Sequence, residues 1–403
     1  MLRKKWIIMI ILVSGMQIAF SGEIFRFQYT TGDRFRILSE VNEDVYINGF
    51  YSHSAEILNR IAMEIEASDE DGGTISGMFQ TSERVFGSGQ AYSWGREYPS
   101  RFTRDNRGHY NIERQYYMPV VRNVPIFPEG PVEPGESWSF PAHEVHDFRE
   151  NLGVDEPFII PVDVKYTYLG PETFEGQEYH LISIDYTIFY QPEFPGGNRV
   201  NPNYPVRISG FSNQILYWNL EAGRADAYAE EFDIFFDLLS GNSVEYQGTA
   251  GAHVVEALLM DREALAEDIT DALAEHGIED AAVRVDAEGV TIALHNIQFP
   301  PDSAFLWDSE KEKLDEISSI LAEHSDRDIL ISGHTAMAGT LEGRHELSRE
   351  RAQSVGDYLL STGVRTASQI VIRGWGGEKP LADNNSSEGR RLNRRVEITI
   401  LEN

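Results

Sequence analysis

The 403-residue sequence contains no cysteine. Disulfides, thiolate metal ligands, a cysteine nucleophile and a lipid-modified N-terminal cysteine are therefore excluded. Basic residues are also scarce. The chain has 34 lysine and arginine residues and 65 aspartate and glutamate residues, which gives a formal net charge of −31. Phosphates and anionic lipids bind to basic surfaces, so we expect a solvated acidic surface and no nucleic-acid partner.

Sequence signatures of enzymes and metal sites are missing as well. The chain has no G-x-S-x-G nucleophile elbow, no H-E-x-x-H zinc motif and no glycine-rich phosphate loop. The segment HEVHD at 143–147 combines two imidazoles with two carboxylates, but His143 and His146 would face opposite sides of a strand. A metal site needs convergent ligands, so an exposed polar turn is the favoured interpretation. We predict no catalytic residue, no metal and no cofactor.

A short apolar run is present near the N-terminus. Residues 6–13 follow three cations and precede the small-residue sequence Ala19-Phe20-Ser21, an order that is typical of a secretory signal peptide. The run is short for a membrane span of roughly 20 residues. We expect residues 1–21 to be a cleaved signal peptide and the mature chain to be secreted, with no transmembrane segment.

Residues 22–240 carry the alternating pattern of β-strands. Apolar and polar residues alternate at 25–29, 57–65, 73–86, 159–168, 179–190, 206–217 and 225–238. Two proline-rich stretches, 118–135 and 192–205, interrupt the pattern. We expect an all-β region, either an antiparallel sandwich or barrel-like, built as one domain or as two lobes that meet near residue 130. A membrane-inserted barrel is less favoured, because charges interrupt both faces of the strands.

The next two segments connect this region to the C-terminus. Residues 241–260 are small and polar at their start, as is typical of an interdomain linker. Residues 261–289 form a lead-in element, in which Leu265, Ile269 and Leu273 recur at helical spacing before a short strand.

Residues 290–403 alternate strands with helices. The patterns predict strands over 290–299, 328–333, 369–374 and 396–401 and helices over 309–324 and 347–361. Elements of these lengths in this order predict an α/β sandwich, with a four-stranded sheet and two helices on one face.

Three short motifs mark this C-terminal region. GHT at 333–335 ends a predicted strand, LSRERA at 347–352 opens a predicted helix, and NRR at 393–395 precedes the last strand. In their order and spacing, these motifs resemble the OmpA-like (OmpA/MotB/Pal) domain, with which envelope proteins of the Gram-negative type bind peptidoglycan.

The resemblance implies a site for the zwitterionic end of the diamino acid in the peptidoglycan stem peptide. In the family, an Asp that closes the motif GHTD pairs with the ligand ammonium, and the Arg of L-S-x-x-R-A pairs with its carboxylate through parallel hydrogen bonds. The carboxylate role transfers to Arg351 in this sequence. The other ligand-binding candidates that the resemblance assigns are Asp302, His334, Thr335, Arg344, Leu347, Asn393 and Arg394.

The first motif departs from the family pattern at its last position. Ala336 replaces the Asp, and a methyl group carries no charge to pair with an ammonium. Loss of one partner of an ion pair commonly costs several kcal/mol, so three outcomes are open. In the first, the domain binds the carboxylate alone, with Arg344 and Arg351. In the second, Glu342 or Glu346 pairs with the ammonium of a different diamino acid. In the third, the domain has lost this ligand.

Together these features predict a non-catalytic envelope protein in the periplasm, associated with the cell wall or the outer membrane. Its C-terminal domain would dock on peptidoglycan, and its β-rich region would contact envelope proteins. The alternative is a periplasmic protein–protein scaffold whose OmpA-like domain no longer binds peptidoglycan. Retention on purified sacculi distinguishes the two.

Overall fold

The computed structural model describes residues 22–85, 91–174, 176–193, 201–255, 260–278, 281–286, 288–294, 297 and 299–401. The expected signal peptide, residues 1–21, lies outside the described residues. Within these ranges, no helix has both the length and the hydropathy that a membrane span requires.

Twelve described strands build the N-terminal region. They are β1 (Arg34–Ile47), β2 (Phe50–Ser68), β3 (Gly72–Val85), β4 (Tyr92–Asp105), β5 (Tyr110–Ile112), β6 (Val121–Arg122), β7 (Ser137–His146), β8 (Phe158–Phe174), β9 (Gln177–Tyr190), β10 (Pro205–Asn219), β11 (Arg224–Leu238) and β12 (Ser243–Val255). They pair antiparallel in the order β5-β4-β3-β2-β1-β12-β11-β10-β9-β8-β7, with β6 beside β7. The first and last strands are therefore neighbours within one continuous sheet. The prediction of an all-β N-terminal region is confirmed.

The strand predictions succeeded where one face of the strand is buried. β9, β10 and β11 lie within two residues of their predicted bounds, and β8 begins as predicted but extends to Phe174. In β8, β9 and β10 buried residues alternate with half-buried or exposed ones, whereas β11 is half-buried over most of its length. β4 was not predicted, because charges such as Arg96, Glu97 and Arg101 break its apolar pattern.

The strand predicted over 25–29 is not formed. Phe25 and Phe27 are buried, and both rings pack against the Trp218 indole. The segment follows an isolated bridge between Glu23 and Val132, and the backbone amides of Phe27 and Gln28 donate to the carbonyl oxygens of Asn106 and Gly223, which lie in loops. The period of two therefore reflects burial of alternate side chains rather than pairing with a neighbouring strand.

The segment 143–147 is not the exposed turn that we expected, because it continues β7. Glu144 is 3% exposed, accepts a hydrogen bond from the Tyr186 hydroxyl at 2.6 Å and lies 2.7 Å from His146 Nε2. The buried carboxylate of Glu144 is tolerated because each of its two oxygens has a hydrogen-bond partner. The described residues contain no group of three or more metal-ligating side chains.

The segment 241–260 contains a full strand where we expected a linker. β12 pairs with β1 on one side and with β11 on the other. Its small residues reflect close approach between strands, since a Cβ on Gly248 would lie 2.2 Å from the Asn42 carbonyl oxygen.

The C-terminal region combines helices with a second set of strands. Its elements are α1 (Arg262–Glu275), β13 (Ala281–Val285), β14 (Gly289–Leu294), α2 (Asp308–Ala322), β15 (Ile329–His334), α3 (Leu341–Ser361), β16 (Ile370–Gly374), α4 (Ser387–Asn393) and β17 (Arg395–Leu401). The strand order is β13-β14-β17-β15-β16.

The predicted α/β sandwich is confirmed, with two additions from the lead-in element. The four predicted strands form the sheet, and β13 adds a fifth at its edge. Apolar residues of α1, α2 and α3 share one core with the same face of the sheet, so α1 joins the two predicted helices. Leu265, Ile269 and Leu273 are the buried residues of α1, as their helical spacing predicted.

The two regions are in contact at the edge of the C-terminal sheet. β16 pairs in parallel with β4 through Val371 and Ile372. Trp94 of β4 packs against Leu330, Val371 and Leu401, on the face of the sheet opposite the helices. Arg60 of β2 donates to Asp328 at 2.7 Å and to the Ser368 carbonyl oxygen at 2.8 Å.

Candidate ligand-binding site of the C-terminal domain

The candidate site lies at one edge of the C-terminal sheet. β14 and β15 both run antiparallel to β17, and β16 runs parallel to β15. β14, β15 and β16 therefore point the same way, and the loops that follow them meet at one edge. Loops at the carboxyl ends of parallel strands are a common place for ligand sites, because the sheet holds them in fixed positions.

Arg351 is the central side chain of this edge. It lies on α3 and is 7% exposed. Its Nε donates to the Ser303 carbonyl oxygen at 3.0 Å, and its Nη2 donates to that of Pro300 at 3.4 Å. The guanidinium also lies over the Phe299 ring, 4.9 Å from the ring centre. Arg351 is thus fixed by the loop after β14.

The charges around Arg351 leave the site positive. Burial lowers the pKa of Arg351, the neighbouring Arg394 lowers it further, and Asp302 opposes the shift. No carboxylate among the described residues lies within ion-pairing distance of Arg351 or Arg394. Two guanidinium groups and one carboxylate therefore set the charge around Arg351, a net positive arrangement that attracts an anion.

Asp302 and Arg394 reach this site from two loops. Asp302 is exposed and adopts a left-handed backbone conformation with φ of 50°. Arg394 is exposed at the C-terminal cap of α4, directly before β17. The structure therefore brings together three of the predicted residues: Asp302, Arg351 and Arg394.

The motif L-S-x-x-R-A positions α3 through its serine as well as its arginine. Ser348 is fully buried, donates to the His345 carbonyl oxygen and accepts from the Gly376 amide, both at 2.8 Å. α3 lies so close to β15 that a Cβ on Gly333 would meet the Ser348 carbonyl oxygen at 1.9 Å. Ser348 therefore fixes the loop after β16, while Arg351 fixes the loop after β14. Ser348 was not among the predicted site residues, although its position in the motif L-S-x-x-R-A could have identified it.

Arg344 and Leu347 also lie on α3. Arg344 precedes Arg351 by two helical turns and Leu347 precedes it by one. Arg344 Nη1 donates to the Gly339 carbonyl oxygen at 2.8 Å, and its buried Nε has no hydrogen-bond partner among the described residues. Leu347 is half-buried. Arg344 thus lies at the loop after β15, and the two helical turns separate its Cα from that of Arg351 by ~10 Å along the helix axis.

Ala336 is 5% exposed at the start of the loop after β15. The neighbouring backbone is fixed on both sides, because Thr335 N donates to the Gly376 carbonyl oxygen and Met337 N donates to Asn384 Oδ1. Of the two carboxylates that were considered as substitutes for the missing Asp, Glu346 pairs with Arg349 at 2.7 Å and Glu342 is exposed in the first turn of α3.

His334 and Thr335 are buried side chains rather than part of the exposed edge. His334 is 2% exposed and points to the sheet face opposite the helices, where its Nε2 lies 3.3 Å from Glu397 Oε2. Burial lowers the pKa of His334. Thr335 is 7% exposed, and its hydroxyl has no hydrogen-bond partner among the described residues.

Glu397 is the centre of this buried cluster, although no motif distinguishes it from the many other acidic residues of the chain. It accepts two hydrogen bonds from Arg284, at 2.9 and 2.6 Å, and one from Arg395 at 2.6 Å. Burial alone would raise the pKa of Glu397, but His334, Arg284 and Arg395 outweigh it and hold the pKa well below its usual range. The cluster ties β13 and β15 to β17 and lies away from Arg351.

Asn393 likewise holds the structure together. It is fully buried, its Oδ1 accepts from the Leu381 and Ala382 amides at 2.7 and 3.0 Å, and its Nδ2 donates to the Ala382 carbonyl oxygen at 2.8 Å. Asn393 thereby anchors the loop after β16 and sets the position from which Arg394 emerges.

Comparison with known proteins matches this part of the chain to one family. Residues 298–394 match the model of the OmpA family. "Probable lipoprotein YiaD" of Escherichia coli is 32% identical over 136 residues, which are 33% of this chain and 62% of that protein. "Peptidoglycan-binding protein ArfA" of Mycobacterium tuberculosis is 36% identical over 104 residues, which are 26% of this chain and 32% of that protein.

A solved structure, "the cell wall anchor of the T6SS from Pseudomonas aeruginosa", is 30% identical, with a TM-score of 0.30 over 35% of this chain and 99% of that one. The match covers less than two thirds of each of the two relatives named above, and the β-rich region lies outside the family model. The relatives include a peptidoglycan-binding protein and outer membrane proteins. Residues 298–394 thus form a domain of the OmpA family.

Proposed function

We propose that this chain is a non-catalytic periplasmic protein that docks on peptidoglycan through the carboxylate of a stem peptide, bound by Arg351 and Arg394. The periplasmic location rests on the signal-like N-terminus and on the outer membrane proteins among the relatives. In this proposal, the β-rich region faces partner proteins of the envelope while the OmpA-like domain holds the wall.

The observation that carries this proposal is the way in which Arg351 is held. Backbone carbonyl oxygens of Ser303 and Pro300 fix its orientation. Carbonyl dipoles orient a guanidinium without neutralising it, so its full charge remains for a ligand. A hydrogen bond to a charged group contributes about 1.5–3 kcal/mol, and partial burial strengthens it by excluding water.

The carboxylate is the proposed recognition element, because the position where the family has its Asp carries no charge and Asp302, the carboxylate beside Arg351, already opposes two guanidinium groups. Ala336 occupies that position, and Glu346 is engaged by Arg349. Arg394 adds a second cation beside Arg351. The balance of charge therefore favours an anionic end over a zwitterion.

Retention of the full chain on purified sacculi tests the proposal. Arg394→Glu should reduce retention at least about tenfold, since it reverses a charge at the site. Arg394 is exposed, so the fold should be unaffected. Arg351→Lys should also weaken retention, because an ammonium cannot replace the planar guanidinium.

Arg391→Glu is the matched control. It makes the same charge change on the same short helix, but Arg391 pairs with Glu388 at 2.7 Å. Retention should stay within about twofold of the unchanged chain. Equal losses in Arg391→Glu and Arg394→Glu would show that sacculi respond to net charge and would overturn the proposed site.

A protein–protein scaffold is the second candidate, and three exposed apolar side chains favour it. Met337 and Leu381 are 56% and 49% exposed in the loops after β15 and β16, and Leu341 is 57% exposed at the start of α3. Exposed apolar clusters commonly mark protein interfaces. If the natural chain fails to bind sacculi and Ala336→Asp restores binding, the scaffold is the better account.

A further inference from the structure

An aromatic pair lies beside the Arg351 site and is not used by the proposed function. Phe305 and Trp307 are 59% and 49% exposed, and their rings form an edge-to-face pair with centroids 5.8 Å apart. Exposed aromatic side chains that pack against each other form a contiguous apolar surface, and such surfaces commonly mark binding sites.

The pair is held rigidly by the same loop that holds Arg351. Ser303 N donates to the Pro300 carbonyl oxygen, and Phe305 N donates to Ser303 Oγ at 3.1 Å. Between the two aromatic residues, Leu306 is 6% exposed and packs into the domain core. The buried leucine therefore fixes both neighbours in outward positions at the start of α2.

The distance to the peptide site is short. Trp307 lies four positions after Ser303, whose carbonyl oxygen accepts from Arg351, and a chain of that length spans at most ~14 Å. A bound stem peptide of two or three residues has a similar reach. In peptidoglycan the other end of that peptide is attached to an amino sugar.

We propose that Phe305 and Trp307 form a platform for an amino sugar of the glycan strand. This inference rests on the proposed function and assigns a second subsite to the same ligand. Sugars present a C–H face that packs on aromatic rings. Asp302 and Asp308 flank the pair and are exposed, so the platform suits a neutral polyhydroxylated ligand better than an anionic one.

Calorimetric titration of the full chain with two soluble probes tests the platform. One probe is the free stem peptide, and the other is the same peptide attached to its amino-sugar disaccharide. The unchanged chain should bind the disaccharide-peptide about tenfold tighter than the free peptide. The double variant Phe305→Ala, Trp307→Ala should lose this preference while keeping its affinity for the free peptide within about twofold.

Met337→Ala is the matched control, because Met337 is exposed to a similar degree on the loop after β15. It should keep the preference for the disaccharide-peptide. If the free peptide binds but the disaccharide adds nothing, or if the double variant keeps the preference, the platform is wrong while the peptide site stands. If neither probe binds, both the proposed function and the platform are overturned.

Discussion

At the residue scale, residues of the three motifs have different structural roles. Arg351 lies at an open edge with two carbonyl partners, whereas Arg395 is 4% exposed and donates to Glu397. His334 also belongs to that buried cluster. The motifs singled out Arg351 and His334 alike, and the resemblance assigned both to the ligand. They did not indicate that His334 would be buried, because the direction of a strand side chain depends on register and packing.

Glu43 provides a residue-scale prediction in the β-rich region. Burial, and then the nearby Glu83, raises the pKa of Glu43 to about 7. An unfolded glutamate titrates near 4.3, so between these values the folded state binds more protons than the unfolded state. The contribution of Glu43 to stability therefore falls as the pH rises from about 5 to 8.

Glu43→Gln should consequently stabilise the protein at pH 8 by about 1–3 kcal/mol, with a much smaller gain at pH 5. Urea denaturation at the two pH values measures the change. Glu40→Gln on the same strand is the control, since Glu40 is exposed and should give little change at either pH. Equal effects of the two variants at pH 8 would contradict the account.

At the scale of elements, the sequence predicted whether a segment is a helix or a strand better than it predicted where the element begins and ends. α3 begins at Leu341 rather than at residue 347, since the Thr340 hydroxyl caps it by accepting from Gly343 N. Gly343 lies inside the first turn of this helix, although glycine is an unfavourable helix residue, so the helical pattern in the sequence is weak there. β12 was missed for the same reason, because its glycines suggested a linker and instead serve close strand packing.

The contact between β2 and the C-terminal domain yields an element-scale prediction. Arg60 and Asp328 are each 14% exposed, and their ion pair spans the two regions. Arg60→Met should lower the free energy of unfolding by about 1–3 kcal/mol, because Asp328 loses its charged partner in a partly buried position. Hydrogen exchange at Val371 and Ile372, which pair with β4, should become faster.

Arg34→Met is the comparison for this variant. The pair of Arg34 and Glu64 lies between β1 and β2 with 51% and 43% exposure, so its loss should cost less than about 0.5 kcal/mol. If Arg34→Met and Arg60→Met are equally destabilising, or exchange in β16 is unchanged, the ion pair does not couple the two regions.

At the scale of the whole molecule, the two regions differ in how much of their fold could be predicted from sequence. The C-terminal fold followed from helix and strand periods together with motifs at fixed spacing. For the β-rich region, the alternating pattern predicted the all-β class and most of the long strands. It did not predict that β1 pairs with β12, because this pairing joins residues about 200 positions apart and leaves no local pattern. The contact of β4 with β16 is non-local in the same way.

The central claim is that the OmpA-like domain recognises a carboxylate without an ammonium. It is tested most directly by titrating the full chain with stem peptides that are modified at the free end of the diamino acid. Amidation of that carboxylate should weaken binding at least about tenfold, whereas acetylation of the amine should leave the affinity within about twofold. Binding that survives amidation but is lost on acetylation would contradict the assignment of Arg351 and Arg394.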